Sequence, residues 1–224
     1  MAPRKRGTGH IGHTNAVFLD ALGTLVDLEP PWVHLAEAFG VEADARMVGA
    51  VRAEMSFYKR HSHEGRDPES VADLRERCAA LLSDELGRHV DVATMMGAIR
   101  FRAFPDAAPA LEELQDRGLT LVCVSNWDCS LAEVLGRCGL DGLVDGVVTS
   151  AGAGARKPDP AIFAPALKLA GCEAGEAVHV GDTAEEDVDA ATAAGIRALL
   201  IDRDGGGDIA SLTEIPSRLE TMPA

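Results

Sequence analysis

Residues 16–25 read AVFLDALGTL. A short apolar run that stops at an aspartate and runs into a glycine-containing turn predicts a buried strand over 16–20. That strand delivers Asp20 at its carboxyl end. Four further segments share this character: 119–125 (LTLVCVS), 146–150 (GVVTS), 177–182 (AVHVGD) and 197–202 (RALLID). None alternates strictly between apolar and polar residues, as expected of strands covered on both faces.

The intervening segments have helical spacing. Apolar positions predict helices over 107–117, 130–138, 160–170 and 185–194, followed by Gly118, Gly139, Gly171 and Gly195 as stop signals. Strands alternating with helices predict an α/β protein with a doubly wound parallel sheet. One stretch interrupts the alternation. Between 28 and 104 no strand is expected, and helices are predicted over 30–39, 43–60, 68–86 and 92–101. This predicts an inserted all-α module. The expected organisation is a flexible basic tail over 1–14, an α/β core over 15–27 and 105–224, and a helical cap over 28–104.

Composition narrows the function. The 224 residues are 46% hydrophobic, enough for a sizeable core, and carry a formal net charge of −15. So acidic a surface repels nucleic acid and anionic lipid. The apolar runs are far shorter than the roughly 20 residues that cross a bilayer. Arg4, Lys5 and Arg6 make a weak basic footprint in a stretch without the apolar centre of a secretory signal. The five cysteines form no C-x-x-C pair, so zinc has no support, and a reducing, cytoplasmic setting is expected. Oligomeric state is not readable.

In an open α/β sheet, ligands bind beyond the carboxyl ends of the strands. The groups predicted at that rim are Asp20, then Ser125-Asn126-Trp127-Asp128, then Lys157 within Lys157-Pro158-Asp159-Pro160, then Asp182 with Asp187 five residues on. An aspartate after a strand is usually a helix cap. Carboxylates, a hydroxyl and an ammonium converging on one rim are harder to dismiss.

The order DALGTL, VSNWD, KPDP and GDTAEED resembles the haloacid dehalogenase-like hydrolase superfamily, whose members of one type carry a helical cap between the first two motifs. The resemblance covers most of the chain. It implies that Asp20 is a nucleophile forming a covalent aspartyl intermediate. It implies a Mg²⁺ site made by Asp20, Asp182 and the backbone carbonyl of Leu22, with Asp187 holding the metal's waters or Lys157. Ser125, Asn126 and Thr24 would meet the phosphate, and Lys157 would bridge nucleophile and phosphate. The implied substrate is a small phosphorylated or anionic metabolite.

Two departures stand out. The phosphatase branch has an aspartate two residues after the nucleophile, which protonates the leaving oxygen and activates water. Here Leu22 stands there and can do neither. Ala190 replaces a frequent glycine in the fourth motif. The implied function is a Mg²⁺-dependent phosphohydrolase of limited or specialised activity. The alternatives are a non-catalytic phosphate-ligand-binding or regulatory protein, and a metal-independent 2-haloacid dehalogenase. In the cap, the basic and aromatic stretch over 58–66 is a candidate substrate grip through Tyr58, His61, His63 and Arg66, and Trp127 is a candidate pocket wall.

Overall fold

The structure is a computed structural model and describes residues 14–221. Five parallel strands form the main sheet: β1 (Ala16–Leu19), β4 (Thr120–Ser125), β5 (Gly146–Thr149), β6 (Ala177–Gly181) and β7 (Arg197–Leu200). Their order is β5-β4-β1-β6-β7, so the chain winds outward in both directions from β1. Phe18 is paired with Val122 on one side and His179 on the other.

Alternate residues of β1 feed two cores. Val17 and Leu19 join Leu121, Cys123, Val178 and Val180 on one face. That face is covered by α5 (Ala107–Asp116), α6 (Leu131–Arg137) and α10 (Ile215–Thr221), through Leu111, Leu114, Leu135 and Leu219. Ala16 and Phe18 face the other way with Val122 and Val124. There they meet α8 (Phe163–Ala170) and α9 (Ala190–Ala193). Burial of both sheet faces is why none of these strands alternates in sequence. A short α7 (Ser150–Ala153) follows β5 and leads to the Lys157 loop.

The inserted helices are α1 (Pro31–Phe39), α2 (Ala45–His61), α3 (Pro68–Leu86) and α4 (Val92–Ala98). They enclose their own core of Leu35, Met47, Val51, Leu74, Cys78, Leu82 and Met95. The starts of α2, α3 and α4 are fixed by aspartates: Asp44, Asp67 and Asp91 accept from the backbone N–H of Met47, Ser70 and Thr94. Each such cap contributes about 1 kcal/mol.

Three expectations need correction. The insert is not free of strands: β2 (Val26–Leu28) and β3 (Phe101–Ala103) pair antiparallel where the chain leaves and re-enters the sheet domain. Three residues are too few for periodicity to register, and each strand exists because the other supplies its hydrogen bonds. The helix expected over 92–101 therefore ends at Ala98. The helix expected over 185–194 opens as a wide π-helical turn, Ala184–Asp189. The basic tail expected over 1–14 lies outside the described residues except for Thr14, which is buried and accepts a hydrogen bond from Arg197 at 2.6 Å. Among the described residues no helix is long and apolar enough to cross a membrane.

Candidate active site

The rim predicted from sequence forms at the carboxyl ends of β1, β4 and β6. Asp20 follows β1, Ser125 closes β4, and Asp182 follows β6. Lys157 reaches the same point from the loop after α7 and is 1% exposed. Its Nζ lies 2.5 Å from Asp20 Oδ1, 2.5 Å from Asp187 Oδ1 and 3.2 Å from the Val124 carbonyl. An ammonium has three protons, and each has an acceptor here.

Asp187 is held from three directions. Its Oδ1 also accepts from His179 Nε2 at 2.9 Å, and its Oδ2 accepts from the Thr183 N–H at 3.0 Å. Gly181 makes this possible, because a side chain there would collide with the Asp187 carboxylate. Gly23 plays the matching part opposite Asp182, with φ at +84° and no room for a Cβ.

The charges follow from burial and neighbours. Burial raises the Asp20 pKa, Lys157 opposes it, and the net direction is upward. Burial would lower Lys157, but the carboxylates of Asp20 and Asp187 drive it well above the ordinary lysine value. Burial would raise Asp187, but the His179 hydrogen bond and the Lys157 charge hold it well below the usual range. His179 is fully buried, which lowers its pKa. The neutral ring therefore carries its proton on Nε2, toward Asp187. Asp182 stands at the mouth, and its pKa is pushed up to about 6 by desolvation and the charges of Asp20 and Asp187.

Oxygens of Asp20, Asp182 and Asp187 lie within 4.8 Å of one another. An all-oxygen donor set suits a hard divalent cation. Because both Asp187 oxygens are already engaged, Asp20 and Asp182 are the carboxylates with coordination to offer. Three mutually repelling carboxylates and only one ammonium also leave negative charge to neutralise.

These groups open into a cavity of about 540 Å³ between the sheet and the cap. Asp20, Leu22, Ser125, Asn126, Trp127, Lys157, Asp182 and Tyr58 line it. Leu22 is 39% exposed. Trp127 lines the cavity, and its ring packs on Phe101 at 5.2 Å. Asn126 lines the cavity and also holds Lys157, its Nδ2 donating to the Lys157 carbonyl at 2.9 Å.

Thr24, His61, His63 and Arg66 do not line the cavity. The tight turn after Asp20 buries Thr24, and its carbonyl accepts from Arg203 at 2.8 Å. The stretch over 58–66 docks on the loop after β4: Tyr58 Oη donates to Asp128 Oδ2 at 3.0 Å, and the Cys129 N–H donates to the Gly65 carbonyl at 2.8 Å. His61 folds back, bonded to the Phe57 carbonyl at 2.8 Å and stacked on the Phe57 ring. The cap instead presents Arg52, Met55, Ser56 and Lys59 to the cavity. These positions fall on one face of α2 at helical spacing. That spacing was available in the sequence, but not which face would turn inward. Lys59 is 3.1 Å from Glu186, an ion pair across the cavity between cap and sheet domain.

Asp20 is thus a buried carboxylate clamped by Lys157 beneath the inserted helices. Residues 14–195 match the haloacid dehalogenase-like hydrolase family. The chain belongs to that family.

Among its relatives is the haloacid dehalogenase-like hydrolase domain-containing protein 3 of Danio rerio, 36% identical over 134 residues, covering 55% of this chain and 55% of that one. The chain thus spans about half the length of that relative. A phosphoserine phosphatase of Thermus thermophilus is 32% identical over 177 residues, 79% of this chain and 64% of its own. Among solved structures, a HAD phosphatase from Thermococcus onnurineus matches with TM-score 0.65 and 25% identity over 92% of this chain and 98% of that one. The L-2-haloacid dehalogenase of Xanthobacter autotrophicus shares the fold at TM-score 0.72 and 21% identity, over 94% of this chain and 100% of its own.

Proposed function

We propose that this hydrolase is a Mg²⁺-dependent phosphohydrolase acting on a small anionic metabolite through an aspartyl-phosphate intermediate. The observation that carries this reading is the Asp20–Lys157–Asp187 chain beside Asp182. It supplies a nucleophile, a fixed ammonium and surplus negative charge suited to a cation.

In this reading Mg²⁺ would be held by Asp20, Asp182 and the Leu22 carbonyl, and would offset the charge of the phosphate. The Asp20 oxygen not engaged by Lys157 attacks phosphorus. The bond to the leaving oxygen breaks, and the leaving group departs with the electron pair. Water then attacks the aspartyl phosphate, releasing inorganic phosphate and restoring Asp20. Lys157 keeps Asp20 aligned, and Ser125, which hydrogen-bonds Asp20, is placed to meet a phosphate oxygen. Arg52 adds positive charge from the cap, consistent with an anionic substrate, while Lys59 is paired with Glu186.

Leu22 supplies no proton to the leaving group. Asp128 is no substitute, since it lines the far side of the Tyr58–Trp127 wall and is bonded to Tyr58. Phosphates with stable leaving groups are therefore the favoured substrates. A panel of p-nitrophenyl phosphate, acyl phosphates and sugar phosphates, assayed with Mg²⁺ and with EDTA, tests the reading. Turnover of the first two with Mg²⁺ supports it, and inactivity on all three overturns it.

The absence of a general acid at Leu22 also suits carbon–halogen hydrolysis, because halide leaves unprotonated. Halide release from 2-haloacids in EDTA, without phosphatase activity, would select that second reading.

A further inference from the structure

A second cavity, of about 270 Å³, lies between the cap and the sheet domain. Tyr58, Phe101 and Trp127 line both cavities and form the wall between them. Its apolar lining comes from Met95, Met96, Ile99 and Val134.

Two carboxyl groups lie at its buried side, Glu54 at 5% and Asp128 at 3% exposure. Asp128 is satisfied, accepting from the Ser130 N–H at 2.7 Å and from Tyr58. Glu54 is not comparably served. Its side-chain hydrogen bond comes from the Cys78 thiol, a weak donor. No cation pairs with it among the described residues. At the more exposed side stand Arg75 and Arg137, which likewise have no ion-pair partner among the described residues, together with one exposed carboxylate, Glu133. The lining therefore holds both signs of charge: only carboxyls at the buried side, and two arginines against the single Glu133 carboxylate at the more exposed side.

A buried carboxyl is costly unless paired. The complementary occupant has an ammonium for the buried carboxyls, a carboxylate for the arginines, and an apolar body for the methionine-rich wall. A metal ion is a poorer fit, since the residues spaced to hold one, among those described, are Asp20, Asp182 and Asp187. We propose that this cavity binds a small zwitterion with an apolar body, an amino acid by chemical class, at a site separate from the catalytic cavity. Such a site stands whether or not the phosphohydrolase reading holds.

Thermal unfolding of the full chain tests this with L-leucine, L-methionine and 6-aminohexanoate as probes. Isoamylamine and isocaproate carry one charge each and serve as controls. At ten times its Kd, a ligand of the native state raises the Tm of a chain this size by about 3–6 °C. At least one zwitterion is expected to do so, with neither control matching it. Glu54→Gln and Arg75→Gln should each weaken that ligand at least about 10-fold while leaving p-nitrophenyl phosphate turnover unchanged. Arg75 stands nearer the mouth, so its variant decides the matter if Glu54→Gln fails to fold. The proposal is overturned if no probe shifts Tm at tens of millimolar, if a single-charge control matches the zwitterions, or if the shift survives Arg75→Gln. It is also overturned if saturating inorganic phosphate with Mg²⁺ abolishes the shift, because the probe would then occupy the catalytic cavity.

Discussion

Asn126 grips the Lys157 peptide unit on both sides: its Oδ1 accepts from the Lys157 N–H at 2.8 Å, and its Nδ2 donates to the Lys157 carbonyl at 2.9 Å. A side-chain amide here does what a neighbouring strand does elsewhere. Asn126→Ala should release the lysine loop and lower kcat by about 10- to 100-fold, the scale of a small misplacement in a preorganised site. KM should change little. A kcat within a factor of two of the parent would show that the loop is fixed by other means.

Asp20→Asn should abolish turnover while the thermal unfolding profile keeps its shape. The amide retains size but neither the charge nor the nucleophilicity of the carboxylate. Residual activity above about a tenth of the parent would remove Asp20 from the nucleophile role.

Lys157→Met should cost both stability and rate. It leaves Asp20 and Asp187 buried without the ammonium between them, and breaking such a network destabilises by about 3–5 kcal/mol. Turnover should fall by about 10²-fold or more. Urea unfolding and a p-nitrophenyl phosphate assay measure the two effects, and a variant as stable as the parent would contradict the charge assignments.

Asp182 predicts a pH dependence. Its pKa stands at about 6 in the folded chain against an ordinary 3.8. Between those values the folded state binds more protons than the unfolded one, so metal-free stability from this group falls as pH rises from about 4 to 6. Mg²⁺ selects the ionised carboxylate, so its affinity should rise across the same window and level off above it. Melting curves with and without Mg²⁺ from pH 4.5 to 8 should show the crossover, and Asp182→Asn should remove it.

Leu22 offers a gain-of-function test. It is exposed to the cavity, so an aspartate fits there and the backbone carbonyl is unchanged. Leu22→Asp should raise the rate on alkyl phosphates more than on p-nitrophenyl phosphate, because only the alkoxide needs a proton as it leaves. Equal gains, or none, would show that proton transfer is not limiting.

The rim residues were legible because each follows or closes a recognisable strand, or sits in a proline-bracketed loop. His179 is less legible. It occupies the middle of AVHVGD, where it read as one residue of a buried strand. The available signal was physical: a polar ring in a strand buried on both faces needs a partner, and here it is Asp187. The cap face was illegible for another reason. α2 is amphipathic, but which of its polar residues meet the cavity depends on how it docks. Tyr58 bonding to Asp128 turns Arg52 and Lys59 inward and carries His61, His63 and Arg66 away.

The β2–β3 ribbon sets the terms on which this molecule can diversify. Val26 lies opposite Ala103 and Leu28 opposite Phe101, so the chain departs and returns at adjacent residues. Asp27 and Arg102 close the ribbon with a 2.8 Å ion pair. An excursion with neighbouring endpoints behaves as a cassette. Its contents can be lengthened, shortened or exchanged by recombination without shifting the registry of a single strand in the main sheet. Selectivity can thus change on an evolutionary clock of its own, while the chemistry beneath stays on another.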